Sequence, residues 1–167
     1  WEEEGEYSIA DRQVKSSQII YSLMEQDPAK RFIELAEENN VGLLSRVPHA
    51  SNTLTGEFDH GFPVFDADDH RAHRKNEWLV ETMQKVDRVR FLVQEDTRTM
   101  AQSAIQFVLK PSAIISVLPN ITKMSELTEY VNAVDTPAIT DEEQAKLDEL
   151  WAHGFDLKEP ERQFREV

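Results

Sequence analysis

Residues 17–23 read Ser17-Gln18-Ile19-Ile20-Tyr21-Ser22-Leu23, and the reading of this run decides the fold. It is short, continuously apolar at its centre and rich in β-branched and aromatic residues, which marks a strand rather than an amphipathic helix. Two runs of the same kind follow. Residues 41–47 (VGLLSRV) end at Pro48, and residues 113–118 (AIISVL) end at Pro119-Asn120.

Helical periods separate these runs. Residues 2–13 are charged and carry Tyr7 and Ile9, with Gly5 as a blemish. Asp27-Pro28 offers an N-cap with proline at the first helical position, and the helix it opens places Phe32, Ile33 and Ala36 on one face. Asn39-Asn40 is its stop, because Asn tolerates the left-handed conformation at a helix end. Trp78, Thr82, Val86, Val89 and Val93 form the apolar face of another helix, and residues 99–109 and 124–133 supply two more. Thr140 to Glu143 is a capping box opening a last helix to about His153, with Gly154 just past its end. Strands alternating with helices and apolar on both faces belong to a covered parallel sheet, so the fold class is α/β. Three strands are few for such a sheet, and both outer edges would stand open. The chain also begins at Trp1 rather than Met, so the expectation is a part of a larger sheet with Trp1 as an internal residue.

Composition narrows the function. Thirty-two acidic against eighteen basic residues in 167 give a formal charge of -14. A phosphate backbone needs a cationic face, so nucleic acid is not an expected partner, and an anionic membrane surface is disfavoured for the same reason. No apolar run approaches the roughly 18 residues of a membrane span. The absence of cysteine removes disulfides, a thiolate nucleophile and cysteine-type zinc sites. A cytoplasmic location is expected.

At the three strand ends the sequence resembles the C-terminal part of the aldo-keto reductase superfamily. Gln18 through Leu23 is similar to the sixth barrel strand of that family, which reads Q-x-x-Y-S-L. Ser45-Arg46-Val47-Pro48-His49-Ala50, with Leu54-Thr55-Gly56-Glu57-Phe58 after it, resembles the seventh strand and its loop. Ser116-Val117-Leu118-Pro119-Asn120, followed by Glu126-Leu127, resembles the eighth strand and its helix. Ala101-Gln102 with Ile105 and Val108-Leu109 matches the intervening helix. The resemblance implies the C-terminal part of an eight-stranded (β/α) TIM barrel. Residues 1–167 would supply its last three strands, strands one to five being absent, and WEEEG at the start is similar to the helix after the fifth strand.

The family's catalytic Asp, Tyr, Lys and His belong to earlier strands, so no catalytic residue is assigned here. What the resemblance implies is cofactor binding, to NADPH or NADH. Gln18 aligns with the glutamine that holds the nicotinamide carboxamide, and Tyr21 lies near the rim of the same strand. Arg46 stands where many members place an aromatic ring; its guanidinium plane can stack, or it can pair with a carboxylate. The backbone of Val47 through Asn52, with Pro48, His49 and Ala50 inside it, occupies the segment that wraps the pyrophosphate, and its amides other than that of Pro48 can donate. His49 replaces the usual Leu and Asn52 the usual Gly. Asn120 replaces a Gly or Lys, and Glu126 stands near the arginine that holds the 2'-phosphate of NADPH. A carboxylate there would repel a phosphate and accept from a ribose hydroxyl. Lys123 could compensate. Weak or reversed selectivity for NADPH over NADH is therefore expected.

A different chemistry is suggested by His60, Asp66, Asp68, Asp69, His70 and His73, whose donor types suit a transition metal. Their spacing matches no recognised zinc pattern, and a polar loop capping a helix explains them equally, so no metal is assigned; a lid over the cofactor is the preferred role. In the complete protein the resemblance implies an NAD(P)H-dependent oxidoreductase acting on a small-molecule carbonyl substrate, the present piece alone being inactive. Its partner would be the missing N-terminal half of the barrel or a second copy. The alternative is a non-catalytic, reductase-like cofactor-binding or regulatory protein.

Overall fold

The computed structural model describes residues 2–11, 14–61, 65, 68–69 and 76–157. In chain order these form α1 (Glu2–Ala10), β1 (Ser16–Ile20), α2 (Ala29–Asn39), β2 (Gly42–Arg46), α3 (Asn76–Arg88), α4 (Met100–Leu109), β3 (Ile114–Leu118), α5 (Met124–Val131) and α6 (Asp141–Ala152). The strands make one parallel sheet in the order β1-β2-β3. Gln18 lies opposite Leu44 and Ile20 opposite Arg46, while Leu44 and Arg46 lie opposite Ser116 and Leu118 across a register shift between Leu43 and Leu44.

One face of the sheet packs on the helices through Ile19, Leu43, Ser45 and Ile114, all buried. The alternation of strand side chains turns Gln18, Ile20, Arg46 and Leu118 the other way, and all four are exposed. Ile115, 64% exposed, lies across Gly42, where a Cβ would come within 2.5 Å of its Cδ1. Continuously apolar strands lead one to expect cover on both faces. Among the described residues only one face is covered, and no fourth strand pairs with either edge.

The helices follow their patterns with local departures. Gly5 allows α1 to close on α2, since a Cβ there would meet the Phe32 ring at 2.9 Å. Asn40 ends α2 at φ 54 with its amide on Ala36 and Glu37 carbonyls, as its position implies. The start of α2 corrects the expectation: Pro28, not Asp27, is the N-cap, and it is without a side-chain cap. The strand at residues 17–23 is shorter than its composition suggests. Ser22 exchanges backbone hydrogen bonds with Glu25, and its hydroxyl accepts from the amides of Met24 and Glu25, so the chain turns after Ile20. Val93 is another correction. The helix ends at Arg88, a 3-10 turn over Arg90–Leu92 brings Leu92 into the core, and Val93 is left 40% exposed.

The last helix is fixed by its cap and by one buried cation. Thr140 and Glu143 form the reciprocal capping box, at 3.1 Å and 2.9 Å. The fully buried Arg98 side chain donates to the carbonyls of Leu92 and Pro137 at 2.9 Å and 3.0 Å and to the Glu143 carboxylate. Burial pushes the Glu143 carboxyl up, but the Thr140 amide and Arg98 outweigh it and hold the group below the usual carboxylate range.

Candidate cofactor site

Of the residues singled out on the strands, Gln18 is the middle residue of β1 and Arg46 the last of β2, at the carboxyl end of the sheet. Strands run parallel, so their carboxyl ends coincide, and the loops after them share one rim. Gln18 and Arg46 lie on the open face in adjacent rows. The Gln18 amide and the Arg46 guanidinium have no hydrogen-bond or ion-pair partner among the described residues. Tyr21 is placed differently. It is buried beneath the rim, stacked on Phe107 at 5.2 Å, and its backbone oxygen accepts from the Ser45 hydroxyl at 3.0 Å. Burial, aided by the charge of Asp148, pushes its phenol up to about 12.

After β2 the chain turns through left-handed backbone. Val47 has φ 59, and Ala50, Ser51 and Asn52 follow at 46, 58 and 70. Such angles are uncommon outside glycine and least comfortable for a β-branched residue, so surrounding contacts must hold them. Ala50 donates to Val47, Leu54 to His49 and Thr55 to Asn52 through backbone amides. The Thr53 and Thr55 hydroxyls donate to the carbonyls of Ala50 and Asn52, both at 2.8 Å, and the Asn52 amide side chain donates to Glu57 at 2.9 Å. Among the described residues the backbone amides of Ser51 and Asn52 have no protein acceptor. Neighbouring amides left free in a turn form a small concavity suited to an anion. Pro48 and His49 are buried below it.

The β3 rim carries Asn120 and Lys123, both exposed. Glu126 is spent on the start of α5: one carboxylate oxygen accepts from the Thr122 amide at 2.7 Å, the Thr122 hydroxyl at 3.0 Å and the Lys123 amide at 3.1 Å. The Thr122 amide is the first cause of its lowered carboxyl pKa. Its other oxygen lies 3.9 Å from the Lys123 ammonium.

Behind the turn lies a groove of about 560 Å³, which sequence reasoning did not find. Its walls include Thr55, Gly56, Arg90, Arg98, Gln102 and Glu129. The capping box of α4 shapes one wall: Thr99 accepts from the Gln102 amide, and the Gln102 side chain accepts from the Thr99 amide. Gln102 also donates to the Glu129 carbonyl at 3.1 Å, and the Thr99 hydroxyl donates to the Glu129 carboxylate at 2.6 Å. The T-x-x-Q spacing of Thr99 and Gln102 was the available signal. Acids outnumber bases in the lining, which contains Asp59, Glu95, Asp96 and Glu129 against Arg90 and Arg98. Both arginines are already paired, Arg90 with Asp59 and Asp87 at 2.8 Å and Arg98 with Glu143.

Of the metal candidates, His60, Asp68 and Asp69 are described, while Asp66, His70 and His73 lie outside the described residues. Among the described residues no group of three potential ligands is assembled, and no helix is long and apolar enough to cross a membrane.

Parallel strands with flanking helices, presenting polar groups along one face and in the loops after them, define the class as α/β with a parallel sheet. Residues 9–152 match the aldo/keto reductase family, and the chain belongs to that family. It is 30% identical over 129 residues to L-glyceraldehyde 3-phosphate reductase of Escherichia coli O157:H7, covering 74% of this chain and 37% of that protein. It is 24% identical over 143 residues to the uncharacterized oxidoreductase YqkF of Bacillus subtilis (strain 168), covering 81% of this chain and 44% of that protein. The chain thus spans less than half the length of these relatives. Among solved structures, the glycerol dehydrogenase AKR11B4 from Gluconobacter oxydans superposes with a TM-score of 0.71 at 21% identity, over 87% of this chain and 45% of that one. The holo form of the aldo-keto reductase AKR11C1 from Bacillus halodurans gives 0.62 at 19% identity, over 99% and 50%. These likenesses show a shared fold, with this chain corresponding to about half of each barrel.

Proposed function

We propose that this chain is the cofactor-binding, C-terminal part of an NAD(P)H-dependent aldo-keto reductase, corresponding over residues 1–167 to the last three strands of the barrel. The carrying observation is a Gln18 amide and an Arg46 guanidinium in adjacent rows of the open face, both without a partner among the described residues, followed by the unpaired amides of Ser51 and Asn52 in the turn after β2. The groups fit a dinucleotide. A carboxamide both donates and accepts, as the Gln18 amide does in complement. A pyrophosphate is an anion, met by the Ser51 and Asn52 amides and by Arg46. Val47, Pro48, His49 and Ala50 shape that turn; Tyr21 supports the rim from below. Asn120 and Lys123 stand at the neighbouring rim. When bound, the nicotinamide supplies hydride to a carbonyl carbon; this chain's residues orient it, and no residue of the chain is assigned the accompanying proton. The isolated chain is accordingly inactive as a reductase.

Preference between NADPH and NADH belongs to the same reading. Glu126 is committed to its cap, so it is less available to a ribose hydroxyl than its position suggests, and the nearby groove has no unpaired arginine. A 2'-phosphate would find Lys123 as its nearest cation and acids elsewhere. Titration with NADH and NADPH tests the proposal: binding of both with less than about tenfold difference is expected, since Lys123 contributes one exposed charge contact. A strong preference for NADPH would overturn the selectivity claim, and binding of neither would overturn the function.

The open face of the sheet supports a further polypeptide partner, the N-terminal barrel half, in preference to a second copy of a chain with net charge -14.

A further inference from the structure

His49 is only 2% exposed, so it cannot contact a ligand at the rim directly. Its Nε2 lies 3.2 Å from the carbonyl oxygen of Ala101 in the first turn of α4, and its ring lies 4.5 Å from the ring of Tyr130 on α5. A carbonyl only accepts, so Nε2 carries the proton and Nδ1 is left as an acceptor. Among the described residues Nδ1 is buried without a partner. A polar ring with one nitrogen orphaned is a costly choice for filling space that an apolar side chain could fill. What the ring adds is a directed bond between the turn after β2 and the helix behind it. The next residues, Ala50, Ser51 and Asn52, have left-handed angles that need outside support. We propose that His49 is a positioning residue, which latches the turn bearing the Ser51 and Asn52 amides to Ala101 and Tyr130 and so sets the shape of the anion-binding concavity without touching its ligand. That the ligand is a dinucleotide rests on the proposed function; the latch itself does not.

The test compares the wild-type chain with His49→Leu, which fills the space, and His49→Gln, which keeps a donor. Amide hydrogen exchange is read at Thr53, Leu54 and Thr55 in the turn and at Leu43 in β2, and NADH binding is measured on the same samples. Loss of one buried hydrogen bond predicts exchange about tenfold faster in the turn of His49→Leu, with Leu43 unchanged and partial recovery in His49→Gln. NADH binding should weaken and recover in parallel. Unchanged turn exchange in His49→Leu, or an equal rise at Leu43, overturns the latch. A loosened turn with undiminished NADH binding overturns its role in shaping the site. A loosened turn in a chain whose wild type takes up no NADH supports the latch and counts against the cofactor reading instead.

Discussion

At His49 a single ring joins the chemistry of the turn to the stability of the molecule. Burial, opposed by the Ala101 carbonyl and by Glu126, brings its pKa from 6.5 down to about 4. The acids facing the His49–Tyr130 pair are Glu126 and Glu129 of α5 and Glu57 of the turn itself. With the folded pKa below the unfolded one, the unfolded chain binds the extra proton first. Stability from neutral His49 is therefore whole above about pH 6.5, falls as pH drops through the window, and is fully lost below about 4. The loss is on the order of 3 kcal/mol. Urea midpoints from pH 7 to pH 4 should fall more steeply for wild type than for His49→Leu; parallel curves would refute the assignment. Gln18 gives a second prediction. Gln18→Ala removes two hydrogen bonds to a carboxamide and should weaken NADH binding about tenfold or more, with no change in thermal stability, because the side chain is exposed and unpaired. The positions of Gln18 and Arg46 on strands and of the turn after Pro48 were legible from the sequence, because apolar β-branched runs and a proline stop mark them. The burial of His49 and Tyr21 was not, since a continuously apolar run does not say how the chain turns after it leaves the sheet.

At the scale of elements, the caps carry most of the local specification. Thr99 and Gln102 close the start of α4 and also hold α5 through Glu129, so Thr99→Ala should lower stability by about 1 kcal/mol and deform the groove. Arg98 ties the 3-10 turn after α3 to the start of α6. Arg98→Met takes its donor from the Pro137 carbonyl and one donor each from the Leu92 carbonyl and the Glu143 carboxylate, which keep the Ser103 hydroxyl and the Thr140 amide. Breaking the buried ion pair should cost about 3 kcal/mol in denaturant unfolding. Little change would mean that α6 is held mainly by its apolar contacts. Helices with a full cap in the sequence, such as the one opened by Thr140, were readable to the residue. Asp27 was not a reliable guide, because Pro28 carries the turn into α2 by its own fixed backbone. Val93 misled for another reason. Its spacing continues the α3 period, but the tighter turn at Arg90–Leu92 advances the chain and gives its place to Leu92.

At the scale of the whole molecule, the described residues leave one sheet face open and an apolar strip along α5 exposed. Ile20, Ile115 and Leu118 stand exposed on the sheet, and Met124, Val131 and Val134 on and after the helix. Apolar surface of this extent is what the proposed N-terminal barrel half would cover. The isolated chain should bind a hydrophobic dye, and Ile115→Ser with Leu118→Ser should reduce that signal while leaving helix content unchanged. A wild-type chain that fails to take up dye would count against an open face. Parallel strands apolar on both sides led to the expectation of cover on both faces, whereas which face would lie bare among the described residues depended on the packing of the helices. The central claim is that these strand ends hold a nicotinamide dinucleotide, and calorimetric titration of the 167-residue chain with NADH tests it most directly. One saturable site, weakened in Gln18→Ala, is the predicted result; the absence of saturable binding in a folded wild-type chain would contradict it.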